Sequence, residues 1–349
     1  MLNVTLRSLH DFLDKLVVND VPLAVMLWGP PGIGKSQAVA KVAASHGLHL
    51  EDVRISQLAP TDLRGVPYVT ERDFEEKLKE KVTAFAAPDF LPRVGRAVLF
   101  LDELNAAPPA MVAITQQLLL DRRVGNYVVP DGVFIWAAGN RKEDRASVFD
   151  MSAPVANRML HLGVAPDVNE WIAYGSSANV DSRILAFVGY RPSKLHDFDA
   201  DAPDPAWPSP RSWVMASTLL SVGLSVSAAV GEATASEFEA FCDVYDRLPD
   251  ARAILEGRSA KPFPKSDSID ERWAITTALS SQVESGEELA NALLWIGRGE
   301  PEWFQLCASL GVTRLREQGK DGDLAEMIPR VPGFREALVE HARTMALAR

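Results

Sequence analysis

Several features common in other protein classes are missing from this 349-residue chain. Its two cysteines, Cys242 and Cys307, are too few for a disulfide framework and supply no metal site. No run of 18 apolar residues occurs, so we expect no membrane span. The N-terminal segment has neither the basic region nor the apolar stretch of a signal peptide. These absences predict a cytoplasmic protein.

Patterns for metal binding and nucleophilic catalysis are also lacking. The six histidines are scattered, with no pair at the helical spacing of metal ligands, since His46 and His49 flank a turn. The acidic stretch 197–204 has no glycine at the sixth position of a calcium loop and no terminal glutamate, so we expect an acidic surface loop there. No Ser-His-Asp or Cys-His arrangement is readable.

The chain does contain a glycine-rich loop at residues 29–36, Gly-Pro-Pro-Gly-Ile-Gly-Lys-Ser. An apolar stretch of strand length precedes it and a helix-forming stretch follows, as the phosphate-binding pattern G-x-x-x-x-G-K-[ST] requires. Glycines let backbone N–H groups curl toward an anion, and a helix N-terminus adds partial positive charge. Lys35 can then reach the β- and γ-phosphates of ATP, and Ser36 can ligate Mg²⁺. We expect the nucleotide to be bound by Gly29, Pro30, Pro31, Gly32, Ile33, Gly34, Lys35, Ser36 and Gln37.

Polar residues follow two further apolar stretches. Residues 97–101 lead into Asp102 and Glu103, at a strand end where open α/β sheets place ligands. Asp102 is expected to hold Mg²⁺ through water, and Glu103 to orient and deprotonate the attacking water. Residues 133–138 lead to Asn140. Its amide can hydrogen-bond the γ-phosphate or the attacking water, because its strand should lie beside that of Asp102.

The first half of the chain alternates strand and helix patterns, and the second half is mostly helical. Strands are predicted at 23–28, 51–55, 97–101, 133–138 and 159–162, with helices between them at 37–46 and 109–121. This alternation favours a parallel sheet covered by helices. Beyond about residue 166, helices are predicted at 287–296, at 334–348 and after a capping box at Ser236 and Glu239. We therefore expect an α/β domain at 1–165 and a helical domain at 166–349.

Five of these features stand in an order that resembles a known family. The loop at 29–36, the pair Asp102-Glu103, Asn140, Arg158 and Arg211 look like the five signatures of an AAA+ ATPase. Within that superfamily the chain most resembles the MoxR-like ATPases, on segments 59–65, 102–109 and 209–211. The resemblance covers roughly residues 20 to 220. It implies an AAA+ module, in which an αβα P-loop domain is followed by a helical lid with a C-terminal helical extension.

The resemblance also implies roles for three residues. Asn140 matches sensor 1. Arg158 matches the arginine finger, which completes the site of the neighbouring subunit by stabilising charge on the transferring phosphoryl group. Arg211 matches the sensor 2 arginine, which reaches from the lid to the nucleotide. For either arginine the alternative is a surface salt bridge.

The chain departs from the MoxR-like pattern at two places. Ala106 and Ala107 stand where that group usually has an arginine, so a contact between subunits is either missing there or supplied by Arg122 or Arg123. The segment 141–145 after Asn140 is more charged than usual, which leaves the geometry of that loop open.

Residues 61–95 leave two structures open. In the MoxR-like group this location carries an insertion that projects toward the central pore, and residues 65–68 suit a turn and a short hairpin. Tyr68 or Phe74 could then contact a partner. The alternative is that the charged stretch 71–81 is a solvated helix.

The expected activity is ATP hydrolysis by a homo-oligomeric ring, hexameric in the MoxR-like manner, that remodels or activates a protein partner. The resemblance further implies a partner with a von Willebrand factor A domain. A nucleic-acid-directed motor is the alternative, with Lys77, Lys79 and Lys81 in its pore, although a net charge of −11 repels phosphates and makes nucleic acid a poorer partner. The third alternative is an ATP-dependent switch or scaffold, in which slow hydrolysis only sets the time at which a partner is released.

Overall fold

The computed structural model describes residues 1–75, 78–93, 95–141, 151, 153–199, 204–245, 249–259, 261–264, 269–297 and 300–347. The chain divides into two compact units, Met1–Ala165 and Pro166–Arg349. The first is an α/β unit, whereas the described part of the second is helical. Among the described residues, no helix has the length and apolar character needed to cross a membrane.

The first unit is built on a parallel sheet. The strands of this unit are β1 (Leu2–Val4), β2 (Val25–Trp28), β3 (His49–Arg54), β4 (Val66–Glu75), β5 (Leu78–Ala86), β6 (Ala97–Asp102), β7 (Arg123–Val124), β8 (Tyr127–Val128), β9 (Val133–Gly139) and β10 (Leu160–Val164). Six of them pair side by side in the order β1-β10-β2-β9-β6-β3, all parallel. The five strands predicted from apolar runs are confirmed, with ends shifted by one or two residues.

Helices cover both faces of this sheet. They are α1 (Leu6–Val18), α2 (Lys35–Ser45), α3 (Pro60–Arg64), α4 (Pro109–Asp121) and α5 (Ala153–Ala156). Along β6 the side chains alternate, so that Val98 and Phe100 pack with α1 and α2 while Leu99 and Leu101 pack with α4. Burial on both faces explains why β6 and β9 read as continuous apolar runs.

Residues 66–75 and 78–86 pair as the antiparallel strands β4 and β5 of a hairpin, so the helix considered for 71–81 is wrong. Gly65 sets the base of the hairpin, because its φ is 90° and a Cβ atom there would collide with the carbonyl oxygen of Ala86. Glu71 lies in register with Lys81. Lys77 and the side chains of Phe74 and Lys79 lie outside the described residues.

The helices of the second unit are α6 (Val168–Ser177), α7 (Ser182–Tyr190), α8 (Pro210–Ser221), α9 (Ser227–Val230), α10 (Glu232–Tyr245), α11 (Ala251–Leu255), α12 (Ile269–Gln282), α13 (Gly286–Ile296), α14 (Pro301–Glu317), α15 (Asp321–Met327) and α16 (Phe334–Leu347). They enclose two apolar clusters. One surrounds Phe187, which contacts the rings of Trp213, Phe238 and Phe241. The other lies between α11 and α16 and includes Cys307, whose burial raises the thiol pKa to about 12.

The capping box predicted at Ser236 is wrong. Helix α10 begins at Glu232, four residues earlier. The backbone N–H of Glu232 donates to the carboxylate of Asp204 at 3.0 Å, so a residue distant in sequence satisfies the helix start. Ser236 therefore lies in the helix interior, where local pattern alone could not place it.

His341 makes the second unit sensitive to acid. The side chain is buried, and Nδ1 lies 2.9 Å from the Ser309 hydroxyl. Burial, and then the charge of Arg316, lower its pKa from the usual value near 6.5. Because the folded protein disfavours the protonated ring, the stability that this group contributes is complete above about pH 6.5 and declines as the pH falls below it.

The melting temperature of His341→Asn should therefore fall less than that of the wild type between pH 7.5 and 5.5, as measured by calorimetry. Parallel curves for the two proteins would contradict this.

Candidate nucleotide-binding site

The glycine loop connects β2 directly to α2, which begins at Lys35. Gly34 is the residue before the helix and has a φ of 101°, a left-handed conformation that residues with side chains rarely adopt. The turn at Gly34 brings the first backbone N–H groups of α2 to the end of β2. A helix N-terminus in this position favours an anion.

Lys35 is folded back over the loop that it follows. Its ammonium donates to the carbonyl oxygens of Gly29 at 2.6 Å and Pro30 at 2.9 Å, and lies 3.5 Å from the amide oxygen of Asn140. The residue is buried, with 8% of its surface exposed. A phosphate oxygen is a stronger, charge-assisted acceptor than a carbonyl, so the ammonium is preorganised for an anion at the loop.

Ser36 and the acidic pair meet at the carboxyl edge of the sheet. The Ser36 hydroxyl donates to Oδ2 of Asp102 at 2.8 Å, and Oδ1 of Asp102 accepts the backbone N–H of Glu103 at 2.8 Å. A hydroxyl and a carboxylate suit Mg²⁺, which takes oxygen ligands and leaves most positions to water and phosphate. The structure thus brings together two residues that are 66 positions apart in sequence.

Electrostatics at this edge favour a cation. Although much of Asp52 is exposed, partial desolvation of its carboxyl and then the nearby charge of Asp102 raise its pKa. Asp52 belongs to β3, the strand paired with the one that ends at Asp102. A carboxylate whose ionisation is disfavoured by a second carboxylate would be stabilised by a divalent ion beside the two.

Glu103 is held by a residue that the sequence patterns did not reveal. Its backbone is left-handed, with φ 55° and ψ 33°, which is uncommon for a residue other than glycine. The Ser56 hydroxyl, in the short turn Ile55–Gln57 after β3, donates to the Glu103 carboxylate. A serine in a loop is a weak sequence signal, and only the pairing of β3 with β6 brings it here.

Asn140 is fixed by a second residue that pattern reasoning missed. The amide nitrogen of Asn105 donates to the Asn140 carbonyl at 2.7 Å, and the Asn105 amide oxygen accepts the Asn140 backbone N–H at 3.2 Å. Asn105 is buried. This reciprocal pair fixes the backbone after β9 and leaves the Asn140 side chain near Lys35. The signal in the sequence was a lone amide two residues beyond the acidic pair.

The comparisons with known proteins agree with this arrangement. Residues 24–159 match the profile of the AAA domain, dynein-related subfamily. This part of the chain has the AAA+ fold. No curated protein matches the chain. Among solved structures, the K64R mutant of Thermotoga maritima RuvB is similar at 15% identity and a TM-score of 0.40, over 72% of this chain and 73% of that one. NtrX from Brucella abortus in complex with ATP is similar at 13% identity and a TM-score of 0.39, over 97% and 68%. Both TM-scores are low, so the resemblance rests on the profile match.

The AAA+ domain also contains Arg158, in the turn between α5 and β10. Its side chain is exposed, and no hydrogen bond or ion pair joins it to another described residue. Arg211 is the second residue of α8 in the other unit, and it is likewise exposed and without an ion pair in the described part of the chain. Among the described residues, the surface salt bridge considered as the alternative is therefore not seen for either arginine.

The two departures from the MoxR-like pattern have different outcomes. Arg122 donates to the carbonyl oxygens of Pro130 at 3.1 Å and Val133 at 2.8 Å, so it holds the chain that enters β9. Arg123 is exposed in β7. Of the charged segment 141–145, only Arg141 lies within the described residues.

Proposed function

We propose that this protein is a ring-forming ATPase that couples ATP hydrolysis to the remodelling or activation of a protein partner. The observation that carries the proposal is the convergence of Lys35, Ser36 and the pair Asp102-Glu103 at one edge of the sheet, inside an AAA+ domain. These groups bind phosphate, hold Mg²⁺ and supply a base for water, which are the three requirements for hydrolysis of a phosphoanhydride.

Each residue has a role that follows from its contacts. Lys35 exchanges its carbonyl partners for phosphate oxygens, and Ser36 with Asp102 would hold Mg²⁺, which neutralises charge on the β- and γ-phosphates when bound. Glu103 gives up its hydrogen bond with Ser56 and then accepts a proton from water. Asn140, fixed by Asn105, directs its amide toward the γ-phosphate or the attacking water.

The active site in this proposal is shared between subunits. Arg158 is exposed and free of intramolecular ion pairs among the described residues, as an arginine that serves another subunit would be. A site built from Glu103 of one subunit and Arg158 of the next exists only at a head-to-tail interface, which closes into a ring. Arg211, on the helical unit, would approach the nucleotide as a lid residue.

ATP should therefore drive assembly. Because a nucleotide at the interface contacts two subunits, binding and association must strengthen each other. With Glu103→Gln and Mg-ATP, light scattering after size exclusion should show a shift toward a ring near six times 38.1 kDa. ADP should be less effective, because it lacks the γ-phosphate that Arg158 and Asn140 would contact. A protein that stays monomeric in ATP yet hydrolyses it at full rate would contradict the proposal.

The hairpin of β4 and β5 supports a protein partner. Val66, Tyr68 and Val69 are 68%, 50% and 71% exposed, and exposed apolar side chains of this kind suit a polypeptide. By the resemblance to the MoxR-like ATPases, such a partner would carry a von Willebrand factor A domain. The nucleic-acid alternative is weakened because Lys81, one of the lysines it needs, lies opposite Glu71 in the hairpin register. Stimulation of the ATPase by DNA at physiological salt would restore it.

Ser56 is expected to restrain hydrolysis. Its hydroxyl donates to the Glu103 carboxylate, and this bond must break before Glu103 can act on water. A net hydrogen bond is worth about 0.5–1.5 kcal/mol, so Ser56→Ala should raise the basal ATPase rate by about two- to tenfold. Ser56→Thr keeps the hydroxyl and is the matched control. A lower rate in Ser56→Ala would mean instead that Ser56 holds Glu103 in its productive position.

A further inference from the structure

A tryptophan and a histidine link the strand that precedes the phosphate loop to the strand that follows Arg158. Trp28 is the last residue of β2, directly before Gly29, and His161 is the second residue of β10. The Trp28 indole nitrogen donates to Nδ1 of His161 at 2.9 Å, and the two ring planes are inclined by 18° with centroids 6.1 Å apart. Nothing in the proposed hydrolysis uses either side chain.

The indole partner determines where the imidazole proton lies. An indole nitrogen can only donate, so Nδ1 of His161 must be the unprotonated acceptor. The ring proton is therefore on Nε2, and it is donated to the carbonyl oxygen of Ala156 at 2.7 Å. Trp28 thus ensures that His161 presents a donor to Ala156.

The Ala156 carbonyl belongs to the turn that carries Arg158. The same oxygen accepts the backbone N–H of Met159 at 3.4 Å, a long bond that closes the turn around residues 157 and 158 only weakly. The bond from His161 is much shorter and comes from a side chain anchored in the sheet. It is therefore the stronger restraint on the turn from which the exposed Arg158 projects.

We propose that His161 is a positioning residue that aims Arg158 at the nucleotide of the neighbouring subunit, with Trp28 fixing its tautomer. This inference rests on the shared site of the proposed function. The side-chain contacts of His161 described above are with Trp28 and Ala156, and not with the residues proposed to bind the nucleotide. Loss of the His161 side chain should therefore impair hydrolysis in the neighbouring subunit, while ATP binding by the subunit that carries the substitution stays normal.

Rings assembled from two different variants distinguish the subunit that donates Arg158 from the subunit that hydrolyses ATP. Arg158→Ala subunits keep Glu103 and can hydrolyse, whereas Glu103→Gln subunits keep Arg158 and can donate it, so a mixture should recover activity. Adding His161→Ala to the donating subunit should lower the recovered rate by about 10- to 100-fold, because misplacement by about 1 Å is that costly. The same change in the hydrolysing subunit should leave the recovered rate near that of the unmodified mixture.

Two conservative variants of the donating subunit test which contact matters. His161→Gln can keep a donor near Nε2 for Ala156 and should rescue much of the rate. His161→Asn can accept from Trp28 but is too short to reach Ala156, and should not rescue. Binding of a fluorescent ATP analogue and the melting temperature are measured for each protein, so that a variant that does not fold is recognised.

The outcomes distinguish the two proposals. If the unmodified mixture recovers nothing although subunits exchange, the shared site fails, and the role of His161 with it. If the mixture recovers but His161→Ala is equally harmful on either subunit, or Gln and Asn behave alike, the shared site stands and the positioning role is refuted.

Discussion

Arg158→Ala is expected to bind ATP normally in each subunit and to lose about 10³-fold or more of its hydrolysis rate. In the role proposed for Arg158, the guanidinium would stabilise the charge that develops on the transferring phosphoryl group, and an alanine would leave that charge to water. ATP binding should persist, because Lys35 and the loop of the same subunit are unchanged. Steady-state ATPase rates and binding of a fluorescent ATP analogue measure the two quantities separately.

Arg330→Ala is the matched control for this prediction. Arg330 is also exposed and has no ion pair with a described residue, but it lies far along the chain in the helical unit. Its replacement removes the same charge and should leave the rate unchanged. An Arg158→Ala protein that keeps its full rate would show that this arginine is not the finger, and Arg123→Ala would then be the next variant to assay.

Glu103→Gln should bind ATP and hydrolyse it about 10²- to 10⁴-fold more slowly. The amide keeps the size of the side chain and its contact with Ser56, but it cannot accept a proton from water. Binding should persist or strengthen, because one negative charge near the phosphates is removed. Trapped ATP can be measured by isolating the protein and counting bound nucleotide over time.

Glu302→Gln removes the same charge at an exposed position in the first turn of α14 and controls for net charge. If Glu103→Gln turns over at the wild-type rate, the base is another group, and the acidic pair does not have the role proposed for it. Slow hydrolysis combined with lost binding would instead indicate damage to the loop.

The central strands were predictable because burial on both faces leaves a continuous apolar run. The loop at 29–36 was recognisable for a related reason, since a helix start that cradles an anion admits few residue types. Asp102 and Asn140 stand at the ends of two of these strands, β6 and β9. The parallel pairing of β6 with β9 brings them to one edge of the sheet, as expected. Sequence and fold agree here because burial on both faces leaves an apolar run in each strand, and such runs are typical of neighbouring strands in a parallel sheet.

The parts that could not be predicted depend on pairing between distant segments. Strand β1 has three residues, too few for a periodic signal, and is defined by its bonds to β10. The charges of β4 and β5 suit a solvated helix as well as a hairpin, and cross-strand pairing decides between them. Ser56, Asn105 and His161 are single polar residues without a motif, whose partners lie 47, 35 and 133 positions away.

The parallel sheet has a consequence for the order of events during assembly. Because β10 runs parallel to β2, with Leu160 beside Val25, Arg158 lies at the amino edge of the sheet and the phosphate loop at the carboxyl edge. In the proposed ring, one subunit therefore donates Arg158 at one end and receives an arginine at the other, and a linear row of such subunits would keep one nucleotide without an arginine. Closure of the ring removes that idle position. In a hexamer the last subunit should therefore complete two sites at once, whereas each subunit added to the row before it completes one.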